Sequence, residues 1–171
     1  MTAGTRNIQK LCLIGHGTGP SARLVNTVKV LRHDFWFRMT HGDTPVGQPF
    51  WYALDFIVDR RPVSGSTATA AEIYGSSSAS ADGLPNIDNL TRFSFLKRYY
   101  YDPSPTVGTY NGMNDIFESR TTYLEDQISL NFVMGFAGVF NSQVENDLLV
   151  MFSWQGSPIT FDYNGRTYYR E

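Results

Sequence analysis

The stretch Phe50–Arg61, FWYALDFIVDRR, decides the fold class. Tyr52, Leu54, Phe56 and Val58 alternate with residues of other character, and Asp55 and Asp59 fall on the opposite side. A period of two commits one face of a strand to a core. Trp51 and Ile57 share the face of the two acids, so a neighbouring sheet or subunit is expected to cover part of that side. Arg60, Arg61 and Pro62 end the run, because proline has no N–H for a ladder and guanidiniums favour water.

Outward from this strand the chain reads as further strands. Ile8–Ile14 is a short apolar run before the turn Gly15–Ser21. In Leu24–Met39 the residues Leu31, Phe35, Phe37 and Met39 share one face and Val28 and Val30 the other, so a β-bulge is expected near Arg32–Asp34. On the far side, Thr91–Tyr101 puts Phe93, Phe95, Lys97, Tyr99 and Tyr101 on one face. Thr121–Asn131, Phe132–Phe140, Leu148–Trp154 and Ile159–Tyr169 complete a tally of eight strands. Two long loops, Val63–Leu90 and Asp102–Arg120, interrupt them. The first holds a short helix at Thr69–Tyr74, with Thr69 as N-cap and Glu72 three residues on. No long amphipathic helix alternates with the strands. The expected fold is therefore all-β, a single eight-stranded antiparallel jelly-roll sandwich of two four-stranded sheets with long loops and a short helix. An immunoglobulin-like sandwich is the alternative, without that fold's cysteine pair.

A chain of 171 residues suits one domain, taken as 1–171 with 1–7 as an N-terminal extension. Aromatic residues make up 15% and charged residues only 18%, so much aromatic surface is expected in a core or against partners. No apolar run is long enough for a membrane helix and MTAGTRNIQK is no signal peptide, so a soluble, non-secreted chain is expected. Cys12 is the only cysteine, which leaves no disulfide framework and no cysteine-based zinc site. The net charge of -2 is unevenly distributed. Residues 1–42 hold six basic side chains against Asp34, whereas the remainder holds 8 basic and 15 acidic ones. A basic N-terminal quarter points to a surface that faces an anion.

Catalytic patterns are missing. Gly15–Gly19, GHGTG, has neither the lysine and hydroxyl pair nor the following helix of a phosphate loop. His16, His33 and His41 have no metal-pair spacing, and His33 is expected to be a hydrogen-bonded structural residue. No serine occupies a nucleophile elbow, and Cys12 sits in an apolar run. The acidic pairs Asp115 and Glu118, Glu125 and Asp126, and Glu145 and Asp147 lack the ligand count of a calcium site. No catalytic residue, metal or cofactor is expected.

The order of these segments resembles a known family. GHGTGPSARLVNTVKVLRHDFWFRM, then FWYALDFIVDRRPVSGSTATAAEIY, then NIDNLTRFSFLKRYYYD, with TTYLEDQISLNF and LLVMFSW late in the chain, are similar to capsid proteins of circular Rep-encoding single-stranded DNA viruses, the circovirus-like and geminivirus-like group. The resemblance runs from about Ile8 to Tyr169 through short, degenerate motifs in a shared order. It implies a jelly-roll subunit in an icosahedral shell, most simply of sixty copies, around a single-stranded DNA genome, with the virion and the host nucleus as its places. Arg6, Lys10, Arg23, Lys29, Arg32 and Arg38 are then the candidate lumen-facing phosphate contacts. Family members usually open with a long arginine-rich arm, and MTAGTRN is not of that kind. The outer loops Ser64–Gly83 and Pro103–Gly112 are where a receptor would be met. Two rival readings are a capsid protein of a small RNA or satellite virus, and a carbohydrate-binding module that uses Trp36, Trp51 or Trp154 as stacking platforms.

Overall fold

The computed structural model describes residues 5–11, 27–41, 51–63, 66–75, 85–101, 116–123, 129–132, 143–155 and 159–170. Among them the chain is all-β, with nine strands in antiparallel sheets and little helix. The strands are β1 (Thr5–Lys10), β2 (Thr27–His41), β3 (Trp51–Asp59), β4 (Phe93–Tyr101), β5 (Ile116–Tyr123), β6 (Ser129–Phe132), β7 (Gln143–Glu145), β8 (Asp147–Gln155) and β9 (Ile159–Arg170). The first sheet runs β1-β8-β3-β4. In the second, β2 carries β9 along one edge, while β5 and then β6 share the other and β7 follows β6.

Both faces of β3 are covered, and all nine of its residues are buried. Its Tyr52, Leu54 and Phe56 meet Val150 and Phe152 of β8 and Phe35 of β2, while Val58 meets Leu148, Val28 and Val30. These contacts join the two sheets into a sandwich. Each such side chain contributes about 1.5–3 kcal/mol through burial.

The other face of the first sheet is closed by α1 (Ala70–Tyr74). Thr69 caps this helix: its hydroxyl accepts from the Glu72 N–H, and Glu72 accepts from the Thr69 N–H at 2.7 Å, the expected capping box. Gly75 ends it in the left-handed conformation at φ 71°, which suits a residue without Cβ. Ile73 and Tyr74 then pack on Ile57, Phe93, Leu149 and Met151.

Several expectations shift. The bulge in β2 falls between Val30 and Arg32, one step earlier than the parity suggested. Val28, Val30, His33 and Phe35 are thereby all buried, and Leu31 is exposed rather than sharing a face with Phe35. In β4 the register also shifts, opposite Phe56 and Ile57. Phe93 and Phe95 consequently pack under α1, while Leu96 and Tyr99 join the inter-sheet core, which splits a set that strict alternation placed together. β5 begins at Ile116, inside the segment expected to be loop, and β7 lies between the expected strands Phe132–Phe140 and Leu148–Trp154. β1 begins at Thr5, so residues 5–7 of the expected extension lie in the sheet. Cys12, His16, the GHGTG turn, most of Phe132–Phe140 and most of the two outer loops lie outside the described residues.

Candidate nucleic-acid interface

Five of the six candidate cations lie among the described residues and divide between the two sheets. Lys10 sits under α1's side of the first sheet, with its ammonium 2.7 Å from Asp147 and both side chains almost wholly buried. Burial pushes the Asp147 carboxyl up, against the opposing pull of Lys10. Its other oxygen has no hydrogen-bond partner among the described residues. Arg6 lies with its guanidinium 4.1 Å above the Tyr74 ring, and burial lowers its pKa. These two cations are committed to holding the helix side together. Arg23 lies outside the described residues.

The same face buries two carboxylates that the sequence reading placed on a polar side. Asp55 accepts from Arg98 Nε at 2.6 Å and from the Tyr74 hydroxyl at 2.6 Å. Burial first, and then the Asp55 charge, push the Tyr74 phenol up, so Tyr74 stays a donor. Asp59 is gripped at both oxygens by Arg92, at 2.9 and 2.8 Å, and the same guanidinium reaches Glu72 of α1 at 2.7 Å. Glu72 is held below the usual carboxylate range chiefly by the Thr69 N–H. Arginine clamps thus make buried acids compatible with a covered sheet.

The outer face of the second sheet is different. Lys29 there is exposed. Arg32 pairs with Asp34 at 3.3 Å and lays its guanidinium 4.1 Å over the Tyr168 ring. Arg38 stands opposite Asp162 in the ladder between β2 and β9. Alternation along β9 adds Asn164, Arg166, Tyr168 and Arg170, none of which the sequence reading singled out. The signal was available in the alternate residues of ITFDYNGRTYYR, but nothing in the sequence says that β9 lies beside β2. Together these strands frame a depression of about 300 Å³ bounded by Asp34, Trp36, Asn164, Arg166 and Tyr168.

His33 points the other way, into the core, where it is 2% exposed. Its ring stacks on Phe35 and Tyr163, with hydrogen bonds to Thr167 and Tyr163. This is the structural role expected of it. Trp51 is buried at 3% and donates to Gln155 at 2.9 Å, and Trp154 stacks on Phe152. Among the described residues no cluster of three or more His, Cys, Asp or Glu side chains is placed to hold a metal ion. Among the same residues no helix is long and apolar enough to cross a membrane. The chain matches no protein-family model, and no curated protein is similar to it at a significant level.

Proposed function

We propose that the chain is the jelly-roll shell subunit of a small virus of the circular Rep-encoding single-stranded DNA group, assembling as an icosahedral homo-oligomer, most simply of sixty copies, around its genome. The strand order carries this reading. A jelly roll is a double Greek key of eight strands. Its two sheets run second–seventh–fourth–fifth and first–eighth–third–sixth. With β1 taken as the second strand, the order β1-β8-β3-β4 matches the former sheet in full, and β9-β2-β5 matches the last three places of the latter. The hairpin β6–β7 is then an insertion before the seventh strand. The remaining place, the first strand, lies beside β9 and has no counterpart among the described residues. Asn7 and Gln9 of β1 are exposed while Arg6, Ile8 and Lys10 face α1's side.

Assembly needs contact surface. Ile87 at 82% and Leu90 at 53% exposure stand on the short 3-10 turn Ile87–Asn89 and its cap, with Val63 at 57%. Exposed apolar groups of this kind suit contacts between subunits. The carbohydrate-binding reading loses Trp51 as a platform, since that ring is buried.

Light scattering of the purified chain across a salt series tests the proposal. A species of megadalton mass that survives dilution, and that Ile87→Asp with Leu90→Asp disrupts, is the expected result. A monomer under all conditions rejects it. Nuclease sensitivity of the nucleic acid extracted from particles distinguishes a DNA shell from an RNA one.

A further inference from the structure

We propose that the depression on the outer face of the β2–β9 pair holds one nucleotide of a single strand, with the base against Trp36, its amino group on Asp34 and the phosphate on Arg166. This deepens the shell reading by naming where the subunit grips its genome. Three features of the site converge on a nucleotide rather than on a bare phosphate.

The first is charge. Among the described side chains, the outer face of β2 and β9 presents Lys29, Arg32, Arg166 and Arg170 against Asp34 and Asp162, on a chain whose net charge is -2. Lys10 and Arg6 are spent on the opposite side of the molecule. Arg166 is exposed and makes no ion pair among the described residues, which leaves its fork for a phosphate.

The second is the aromatic content. Trp36 and Tyr168 both line the depression; Trp36 is half-buried, and Tyr168 is already covered by Arg32 at 4.1 Å. A phosphate needs no flat apolar partner, whereas a base does, because stacking on an aromatic ring is the sequence-tolerant element of single-strand binding. A volume of about 300 Å³ lies at the lower end of small-molecule sites.

The third is Asp34. One of its oxygens pairs with Arg32, and the other, shielded from solvent and without a hydrogen-bond partner among the described residues, meets a base once the 32%-exposed side chain rotates about its Cβ–Cγ bond. A carboxylate would repel a bare anion, but it accepts from the exocyclic amino group of a base. Asn164, exposed beside it, offers both a donor and an acceptor. The site therefore favours bases that carry an amino group, cytosine, adenine and guanine, over thymine.

Fluorescence anisotropy with labelled oligo-dC and oligo-dT, on the full chain before assembly and over a salt series, provides the test. Oligo-dC is expected to bind more tightly than oligo-dT. Trp36→Ala is expected to weaken oligo-dC about tenfold while Trp36→Phe retains binding. Arg166→Ala is expected to lower the logarithmic salt slope by about 0.7, one phosphate contact. Asp34→Asn is expected to remove the preference for dC. Lys97→Ala, an exposed cation on β4 of the other sheet, is expected to bind like the unaltered chain. If Trp36→Ala and Arg166→Ala remain folded by circular dichroism and bind as the unaltered chain does, or if oligo-dT binds as tightly as oligo-dC, the proposal is overturned. Light scattering of the same samples separates the two readings: particles that form while these variants bind DNA normally remove the nucleotide site and leave the shell. Specific oligo-dC binding without particles under any condition retains the site and removes the shell.

Discussion

The hydroxyl of Tyr163 on β9 stands 2.5 Å from Nε2 of His33 on β2, in the middle of the inter-sheet core. On the other side of the ring Nδ1 lies 2.8 Å from the Thr167 hydroxyl, which itself donates to the Leu11 carbonyl at 3.3 Å. Because Thr167 gives its proton to Leu11, it accepts from the imidazole, so Nδ1 carries the hydrogen and Nε2 accepts from Tyr163. The relay ties β9 and β2 of one sheet to the end of β1 in the other.

A neutral imidazole at this place makes stability depend on pH. Burial lowers the His33 pKa from 6.5 to about 4, against a smaller opposing effect of Asp34. The folded form binds the proton more weakly than the unfolded chain, so its contribution is complete above pH 6.5 and is lost as pH falls toward 4. Urea unfolding at pH 7 and pH 4.5 is expected to show a loss on the order of 2–3 kcal/mol that His33→Gln does not show. Equal losses in both chains would assign the acid sensitivity to carboxylates instead.

Gly165 is required by the same ring. A Cβ there would stand 2.5 Å from His33 Nε2 and 2.7 Å from its Cε1. The imidazole is fixed on both sides by hydrogen bonds and cannot withdraw cheaply. Gly165→Ala is expected to cost about 1–3 kcal/mol in denaturant unfolding. Adding His33→Ala should recover part of that loss, since the clash is with the ring.

Asp55 is wholly buried and depends on Arg98 and Tyr74. Arg98→Met strands the carboxylate and is expected to destabilise by about 3–5 kcal/mol. Asp55→Asn in the same chain should restore much of the stability, because a neutral amide costs less to bury. A double variant no more stable than Arg98→Met would show that packing of the Arg98 stem, rather than charge pairing, carries the effect.

Lys10 and Asp147 form the other buried pair, and it is only partly satisfied because one Asp147 oxygen has no partner among the described residues. Replacing both by apolar residues, Lys10→Met with Asp147→Leu, is expected to be neutral or stabilising by about 1–4 kcal/mol, whereas Lys10→Met alone destabilises. The thermal midpoints of the three chains provide the comparison.

Thr69→Ala removes the side-chain half of the capping box and is expected to cost about 1 kcal/mol. The loss should appear as faster proteolysis around α1, with no change in the hydrogen exchange of β8.

What the sequence determined by itself was local. The alternation of Phe50–Arg61 placed Tyr52, Leu54, Phe56 and Val58 on one face, and the spacing of Thr69 and Glu72 placed a capped helical turn, because strand parity and helix capping depend on residues two to four apart. In β4 the residue inserted at Leu96 made parity counted along the chain place Tyr99 with Phe93 and Phe95, whereas in β2 a bulge was expected and only Leu31, among the described residues, was put on the wrong face. The sequence also showed where cations were concentrated but not which were already neutralised. Only the tertiary structure gave Lys10 to Asp147, buried Asp55 and Asp59 behind Arg98 and Arg92, and set Arg166 and Tyr168 beside Asp34 and Trp36. A period of two tells which way a side chain points but carries no information about which strand lies alongside, and β2 and β9 meet across more than a hundred residues. The fate of a charge is set by that distant partner.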